Sequence, residues 1–208
     1  MCQIEVIHGD SLVVLPTLPA QSVQCIITSP PYYGLRSYLS ADDPAKPQEI
    51  GLEESPNAYI ARLVRVFREC RRVLCDDGTL WVNVGDSYAG SGNGANDHRP
   101  DGDSISKNDR KYQGRADRPA KSLLGIPWRL AFALQDDGWI LRSDIIWHKP
   151  NPLPESVKDR PTKSHEYVFL FAKNQHYYWD YVAAREPAKY DGRKDTVMKG
   201  SKKYRNHA

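Results

Sequence analysis

The feature that most limits how this chain can fold is an apolar run of strand length that ends at two prolines. Residues 23–28, VQCIIT, are mostly apolar and β-branched, which is typical of a strand in the middle of a covered sheet. Proline has no N–H group for a sheet ladder, so the strand must stop before Pro30 and Pro31. The sequence therefore predicts a buried strand followed at once by a rigid turn.

Helix and strand patterns alternate along the rest of the chain. Apolar residues recur at helical spacing over 57–75, with arginines on a solvated face, and Asp76-Asp77-Gly78 is expected to end that helix. Further elements are predicted as a strand at 3–7, a short helix or turn at 11–18, a strand at 79–84, a helix at 122–135, strands at 140–147 and 166–172, and a hairpin extension at 176–182. The alternation predicts an α/β fold with a mostly parallel sheet.

Two polar segments set the predicted domain organisation. Residues 85–119 are rich in Gly, Asn, Asp, Ser and Arg, which indicates a long mobile loop inside one domain at 1–185. Residues 186–208 are basic and polar with few apolar side chains, which indicates a tail or the start of a further segment.

Composition narrows the class of protein further. The net charge of +3 tolerates a nucleic-acid partner without demanding one, and no apolar run reaches the length of a membrane span. The cysteines form no Cys-x-x-Cys pair and no histidine pair has zinc-finger spacing: Cys2, Cys25, Cys70 and Cys75. We therefore expect free thiols, no metal site and a cytoplasmic location.

The segment after the first apolar strand carries the predicted chemistry. It reads Ser29-Pro30-Pro31-Tyr32, and open α/β sheets bind ligands beyond the carboxyl ends of their strands. The Ser29 hydroxyl and the Pro30 carbonyl are adjacent hydrogen-bond acceptors, and consecutive prolines fix the direction of that carbonyl. Two such acceptors could localise the lone pair of an exocyclic amino group, which is otherwise delocalised into its ring. The Tyr32 ring offers a flat surface on which a base can stack.

This segment resembles motif IV of the DNA methyltransferases that methylate amino groups, which reads Ser/Asp/Asn-Pro-Pro-Tyr. Gly9-Asp10 resembles the acidic turn of that family, and three later segments resemble family segments in the same order: TLWVNVGDSY, LLGIPWRLAFALQDDGWILRSDIIWHKPNPLPES and KSHEYVFLFAK. The resemblance covers about residues 4–181. It implies a Rossmann-like methyltransferase fold, S-adenosylmethionine as cofactor, and double-stranded DNA whose target base is flipped out.

The resemblance also implies roles for individual residues. Ser29, Pro30, Pro31 and Tyr32 would be catalytic, and Asp10 would contact the cofactor; the alternative for Asp10 is a turn former or helix cap. Four residues would contact the base or the DNA backbone: Arg36, Trp147, Lys149 and Asn151. A serine at the first motif position favours cytosine N4 over adenine N6. Carbon-5 cytosine methylation is disfavoured because no cysteine follows a proline.

One family motif is missing from this sequence. The permuted subgroup carries a Phe-x-Gly-x-Gly motif for cofactor binding after its target-recognition region, and the glycines at 90–94 lead into no helix. The sequence analysis therefore predicts an incomplete fold, with the motif on a second chain or on a further C-terminal segment. The alternative is a remnant that binds DNA without catalysis.

A serine esterase is the alternative class of enzyme. Gly9-Asp10-Ser11-Leu12 matches the nucleophile block of one esterase family, with Ser11 as the nucleophile. That family also needs an Asp-x-x-His pair, and no histidine here has Asp three positions before it.

Overall fold

The computed structural model describes residues 4–90, 118–152 and 154–185. The chain divides into two units, Met1–Tyr178 and Trp179–Ala208. In the second unit, residues 181–184 form a turn in which the Arg185 guanidinium lies 5.0 Å from the centroid of the Tyr181 ring. The predicted domain boundary at 185/186 stays a prediction, because 186–208 and most of the predicted loop lie outside the described residues.

The first unit contains three α-helices and four strands among its described residues. The helices are α1 (Ser11–Val14), α2 (Pro56–Val73) and α3 (Ile126–Asp136), and the strands are β1 (Val23–Thr28), β2 (Leu74–Val84), β3 (Ile140–His148) and β4 (His165–Ala172). Short 3-10 helices occupy Leu15–Thr17 and Lys46–Gln48. No helix in these described parts is long and apolar enough to cross a membrane.

The four strands form one mixed sheet in the order β1-β2-β4-β3. β1 and β2 are parallel, whereas β4 is antiparallel to both β2 and β3. The α/β class is confirmed, but the prediction of a mostly parallel sheet is wrong for these strands. The alternation correctly indicates that β1, β2 and β3 run in the same direction. β4, however, inserts between β2 and β3 and converts what would be a parallel pair into two antiparallel ones.

α2 and α3 pack on one face of the sheet and form the core with it. α2 begins at Ser55, whose hydroxyl accepts a hydrogen bond from the Ala58 N–H, and Pro56 occupies its first turn. Alternate residues of β2 and β4 point at the helices and are fully buried: Leu80, Val82, Val84, Phe169 and Phe171. α3 starts later than predicted because Leu124 and Ala89 instead join backbone hydrogen bonds between 87–89 and 122–124.

Several other sequence predictions need correction. Residues 4–7 form no strand and are exposed, and 176–182 form no strand either. β2 runs through Asp76-Asp77-Gly78 and begins directly after α2, so these residues do not separate the two elements. The sequence predicts that β1 is covered, yet it is the outer strand of the sheet within the described residues, and Ile27 is 80% exposed. The face of the sheet opposite α2 and α3 is thus open beside β1.

Candidate active site

The candidate site lies at the edge of the sheet where β1, β2 and β3 end and β4 begins. Ser29 follows β1, Gly85 follows β2, Lys149 follows β3, and Glu166 is the second residue of β4. β1, β2 and β3 run in the same direction and β4 runs in the opposite one, so the ends of the first three strands and the start of β4 lie at the same edge. Residues far apart in the sequence can therefore act together there.

The turn after β1 is fixed by hydrogen bonds to its backbone. The buried Tyr59 hydroxyl of α2 donates to the Pro31 carbonyl at 2.7 Å, and the Ser87 hydroxyl donates to the Tyr33 carbonyl at 2.8 Å. The Tyr33 ring packs against the Tyr59 ring, with their centroids 5.4 Å apart. Burial raises the pKa of the Tyr59 hydroxyl, so this group remains a donor. The core helix thus holds the turn in one conformation.

The Pro30 carbonyl differs from its neighbours. The Tyr32 carbonyl accepts from the Leu35 N–H at 3.3 Å, so the carbonyls of Pro31, Tyr32 and Tyr33 are all engaged. Within the described residues, no donor contacts the Pro30 carbonyl. The turn thus leaves one acceptor available beside Ser29.

Asn83 orients the two polar side chains of the turn. Its side-chain oxygen lies 3.4 Å from the Ser29 hydroxyl and 2.9 Å from the Tyr32 hydroxyl. Its amide nitrogen donates to the Tyr167 carbonyl at 3.1 Å, which fixes which end of the amide faces the site. Because the Ser29 hydrogen points toward Asn83, the lone pairs of the serine oxygen remain able to accept other hydrogen bonds.

Glu166 and Lys149 complete the hydrogen-bonded cluster. The Tyr32 hydroxyl donates to one carboxylate oxygen of Glu166 at 3.0 Å, and the Lys149 ammonium group pairs with the other oxygen. Burial opposes ionisation of Glu166, but the hydrogen bonds from Lys149 and Tyr32 outweigh it and lower the pKa of this carboxyl. Burial raises the pKa of Tyr32, with a further increase from the charge of Glu166. The cluster therefore pairs an ionised carboxylate with a neutral phenol at neutral pH.

The structure joins only some of the predicted site residues. Ser29, Tyr32 and Lys149 belong to this cluster, and Trp147 lies beside it because its Cα pairs with Glu166 across β3 and β4. The Trp147 side chain is 59% exposed, so it is not a core residue. Among the described residues, no hydrogen bond or ion pair links the exposed Arg36 and Asn151 to the cluster.

Asp10 is the N-cap of α1, which is the alternative role that the sequence analysis gave for it. One of its carboxylate oxygens accepts from the Leu12 N–H at 2.7 Å, which makes Asp10 the N-cap of α1. Ser11 is the first residue of this short helix, and no histidine of the described residues forms a hydrogen bond with it. The geometry needed for an esterase nucleophile is therefore missing from the described residues.

The sequence analysis missed Asn83, Gly85 and Glu166. Asn83 is a polar residue between buried positions of β2, and this break in the apolar pattern could have signalled it. Gly85 lies against Tyr32, and an added Cβ there would be 2.5 Å from a ring carbon. Glu166 gave no local signal, since an acidic residue near the start of a strand is common on surfaces.

Comparisons with known proteins show the family to which this chain belongs. Residues 23–207 match the model of the DNA methylase family. The type II methyltransferase M.XycI of Xanthomonas campestris pv. cyanopsidis is 53% identical over 186 residues, which are 87% of this chain and 58% of that protein. The chain spans less than two thirds of the length of this and the next curated relatives.

Two solved structures show the same fold at low sequence identity. PvuII DNA methyltransferase (cytosine-N4-specific) aligns with a TM-score of 0.57 and 20% identity, over 85% of this chain and 51% of that one. A putative DNA modification methylase of Thermus thermophilus, solved with S-adenosyl-L-methionine, aligns with a TM-score of 0.50 and 22% identity, over 87% and 57%. These likenesses confirm a Rossmann-like methyltransferase fold, represented here in part. With the family match over residues 23–207, they show that this chain belongs to the DNA methylase family.

Proposed function

We propose that this protein transfers a methyl group from S-adenosylmethionine to the exocyclic amino group of a flipped DNA base. The observation that carries this proposal is the pair of adjacent acceptors at the end of β1. The Ser29 oxygen has lone pairs available, and the Pro30 carbonyl has no donor among the described residues. An amino group has two hydrogens, and this pair offers one acceptor for each.

The two acceptors would activate the amino nitrogen. When Ser29 and the Pro30 carbonyl each accept one N–H, the nitrogen lone pair is drawn out of conjugation with the ring and becomes a better nucleophile. Bound S-adenosylmethionine would supply an electrophilic sulfonium methyl group. Because the Tyr59 and Asn83 contacts hold the turn and the serine in place before substrate arrives, little reorganisation is needed at the reaction. No covalent link to the protein is required.

Tyr32 would hold the flipped base by stacking. Its hydroxyl is tied at one end to Asn83 and Glu166, and the absence of a side chain at Gly85 leaves room for the ring. A fixed ring loses little entropy when a base stacks on it. Trp147, Lys149, Asn151 and Arg36 would contact the target base or DNA phosphate, which their exposed or half-exposed positions allow.

Cytosine N4 is the favoured target over adenine N6. The serine at the first motif position supports this choice, and the PvuII structural neighbour is described as cytosine-N4-specific. The type II names of the curated relatives favour a role in restriction and modification. A DNA substrate and the free Cys25, Cys70 and Cys75 fit a reducing cytoplasm.

The described residues provide part of a cofactor site. Asp10 uses one carboxylate oxygen as a helix cap, and no described residue contacts the other, which could accept a hydrogen bond from the cofactor. The open face beside β1 exposes Ile27, and Ile4 and Val6 near the start of the chain are exposed as well. We propose that a second chain or a further segment, carrying the Gly-rich cofactor motif, covers this face. The greater length of the curated relatives supports this idea.

Labelled methyl transfer tests the proposed function. The protein is incubated with S-adenosylmethionine carrying a labelled methyl group and with DNA of mixed sequence, and the DNA is digested to nucleosides. We expect label in N4-methylcytosine, and at least about 10²-fold less with Ser29→Ala, by analogy with the loss of one preorganised hydrogen-bonding group. Ser22→Ala is the matched control, because Ser22 precedes β1 at its other end and its hydroxyl bonds only locally, to the Pro19 carbonyl.

Three results would contradict the proposal or part of it. Equal transfer by Ser29→Ala and wild type would remove Ser29 from the mechanism. Label in N6-methyladenine would replace cytosine by adenine as the target. Absence of transfer even when the part of M.XycI outside the 186 matched residues is added would favour the non-catalytic alternative.

A further inference from the structure

Glu166 contacts two proposed substrate-binding side chains from separate parts of the chain. Tyr32 belongs to the turn after β1, and Lys149 belongs to the loop after β3. The two carboxylate oxygens of Glu166 are divided between them, since one accepts from the Tyr32 hydroxyl at 3.0 Å and the other pairs with the Lys149 ammonium group. A bridging acceptor at this position of β4 thus joins the turn to the loop through side chains.

We propose that Glu166 is a positioning residue that holds Tyr32 and Lys149 as one unit for the target base. This inference rests on the proposed function for its purpose, although the bridge itself can be measured in the protein without substrate. Glu166 would not touch the base. It would act by fixing the stacking ring and by directing the lysine ammonium group to one place.

The surroundings of Glu166 support an ionised carboxylate in this role. The carboxylate receives hydrogen bonds from Lys149 and Tyr32, and the half-buried Lys163 adds a second nearby positive charge. Glu166 pairs with Trp147 of β3, and the next residue, Tyr167, pairs with both β2 and β3, so the backbone at Glu166 continues directly into the sheet. Because this backbone is fixed, the Glu166 carboxylate can hold the Tyr32 and Lys149 side chains in place before substrate binds, which lowers the conformational entropy that they lose on binding.

Asn83 gives the Tyr32 hydroxyl a second, uncharged acceptor beside Glu166. The Tyr32 hydroxyl also contacts the Asn83 oxygen at 2.9 Å, so loss of Glu166 would leave the ring with one neutral acceptor. Lys149 has no second carboxylate partner among the described residues. Replacing Glu166 by Gln removes the charge and leaves one neutral acceptor oxygen for both partners, so it should weaken the hold on Lys149 and Tyr32 with little change in volume.

The test compares Glu166→Gln with wild type in the free, full chain. Tyrosine labelled with carbon-13 at Cζ is followed by NMR as the pH is raised, and Tyr32→Phe assigns the Tyr32 signal. Trace labelling with acetic anhydride, followed by mass spectrometry, measures the accessibility of each lysine amine. Glu69→Gln is the matched control, because Glu69 pairs with Arg72 on α2, away from the cluster.

We expect Tyr32 in Glu166→Gln to titrate at lower pH, since the charge of Glu166 raises the Tyr32 pKa in the wild type. We also expect several-fold faster acetylation of Lys149 and unchanged values in Glu69→Gln. Methyl transfer should lose about 10²-fold in kcat with little change in KM, as misplacement of groups around a substrate predicts.

The possible results separate the Glu166 bridge, the positioning role of Glu166 and the proposed function. Unchanged Tyr32 titration, or unchanged Lys149 acetylation, would overturn the bridge, because the bridge requires both. Normal kcat in a variant with both changes would overturn the positioning role. A wild type that transfers no methyl group even with the part of M.XycI outside the 186 matched residues added, yet shows both changes in Glu166→Gln, would confirm the bridge and count against the proposed function instead.

Discussion

At the residue scale, the chemistry of the site depends on which oxygen atoms the fold leaves available. Four carbonyls follow one another from Pro30 to Tyr33, and three of them accept hydrogen bonds from within the protein. The carbonyl that has no donor among the described residues stands next to Ser29. The hydrogen bonds to the three following carbonyls limit rotation of their peptide groups, and this fixes the direction of the Pro30 carbonyl without backbone strain.

Removal of the Tyr59 hydroxyl tests whether its hydrogen bond to the Pro31 carbonyl holds the turn in place. Tyr59→Phe keeps the buried ring but leaves the Pro31 carbonyl without its donor, so we expect the free energy of unfolding to fall by about 1–3 kcal/mol. The released turn should also reduce methyl transfer more than the loss of stability explains at a temperature where the variant is folded. Urea unfolding and the transfer assay provide the two measurements.

Tyr178→Phe provides the control for Tyr59→Phe. Tyr178 is 65% exposed, so its hydroxyl can bond to water and its removal should change the unfolding free energy by less than about 0.5 kcal/mol. Equal effects of the two substitutions would show that the Tyr59 hydrogen bond does not hold the turn.

Three of the five residues of the hydrogen-bonded cluster could be predicted from the sequence, for a physical reason. Ser29 and Tyr32 lie in one short motif, and Lys149 lies in a proline-rich segment with a family resemblance. Asn83 and Glu166 contact Tyr32 from 51 and 134 residues away along the chain, and Lys149, the other partner of Glu166, is 17 residues away. Such contacts depend on strand order and register, which local patterns do not encode.

At the element scale, the positions of the site residues follow from where the strands end. The apolar patterns predicted β1 with its observed bounds and placed α2, β3 and β4 within one or two residues. They placed the start of α3 too early, because Gly125 has φ of +69° and marks a break between the preceding segment and the helix. They also failed for the order of β3 and β4, since residue spacing indicates a strand but not its neighbour.

α3 offers a matched pair of substitutions within one helix. Leu134 is fully buried against the sheet, whereas Phe132 is 55% exposed on the outer side. We expect Leu134→Ala to lower the free energy of unfolding by about 2–5 kcal/mol through the cavity that it leaves. Phe132→Ala should cost less than about 1 kcal/mol, because its surface is already partly in water. Thermal and urea unfolding measure both, and a larger cost for Phe132→Ala would mean that α3 packs through its other side.

At the scale of the whole molecule, the two faces of the sheet differ in how much they are covered. α2 and α3 bury one face, while the opposite face beside β1 exposes the apolar Ile27. An outer strand that has unpaired backbone groups and an exposed apolar side chain is a place where a further segment of chain can pack. The relatives, at more than one and a half times the matched length, have residues available for such an addition.

Ile27→Lys tests whether this face receives a further segment. A lysine at an 80% exposed position should leave the melting temperature of the chain alone nearly unchanged, since no packing is lost. The same lysine should prevent association with the separately expressed part of M.XycI that lies outside the 186 matched residues, because its charge would be buried without a partner. Co-purification and labelled methyl transfer report the association, with Phe132→Lys on the helix-covered side as control. If Ile27→Lys associates as strongly as the control, the open face is not where the added part binds.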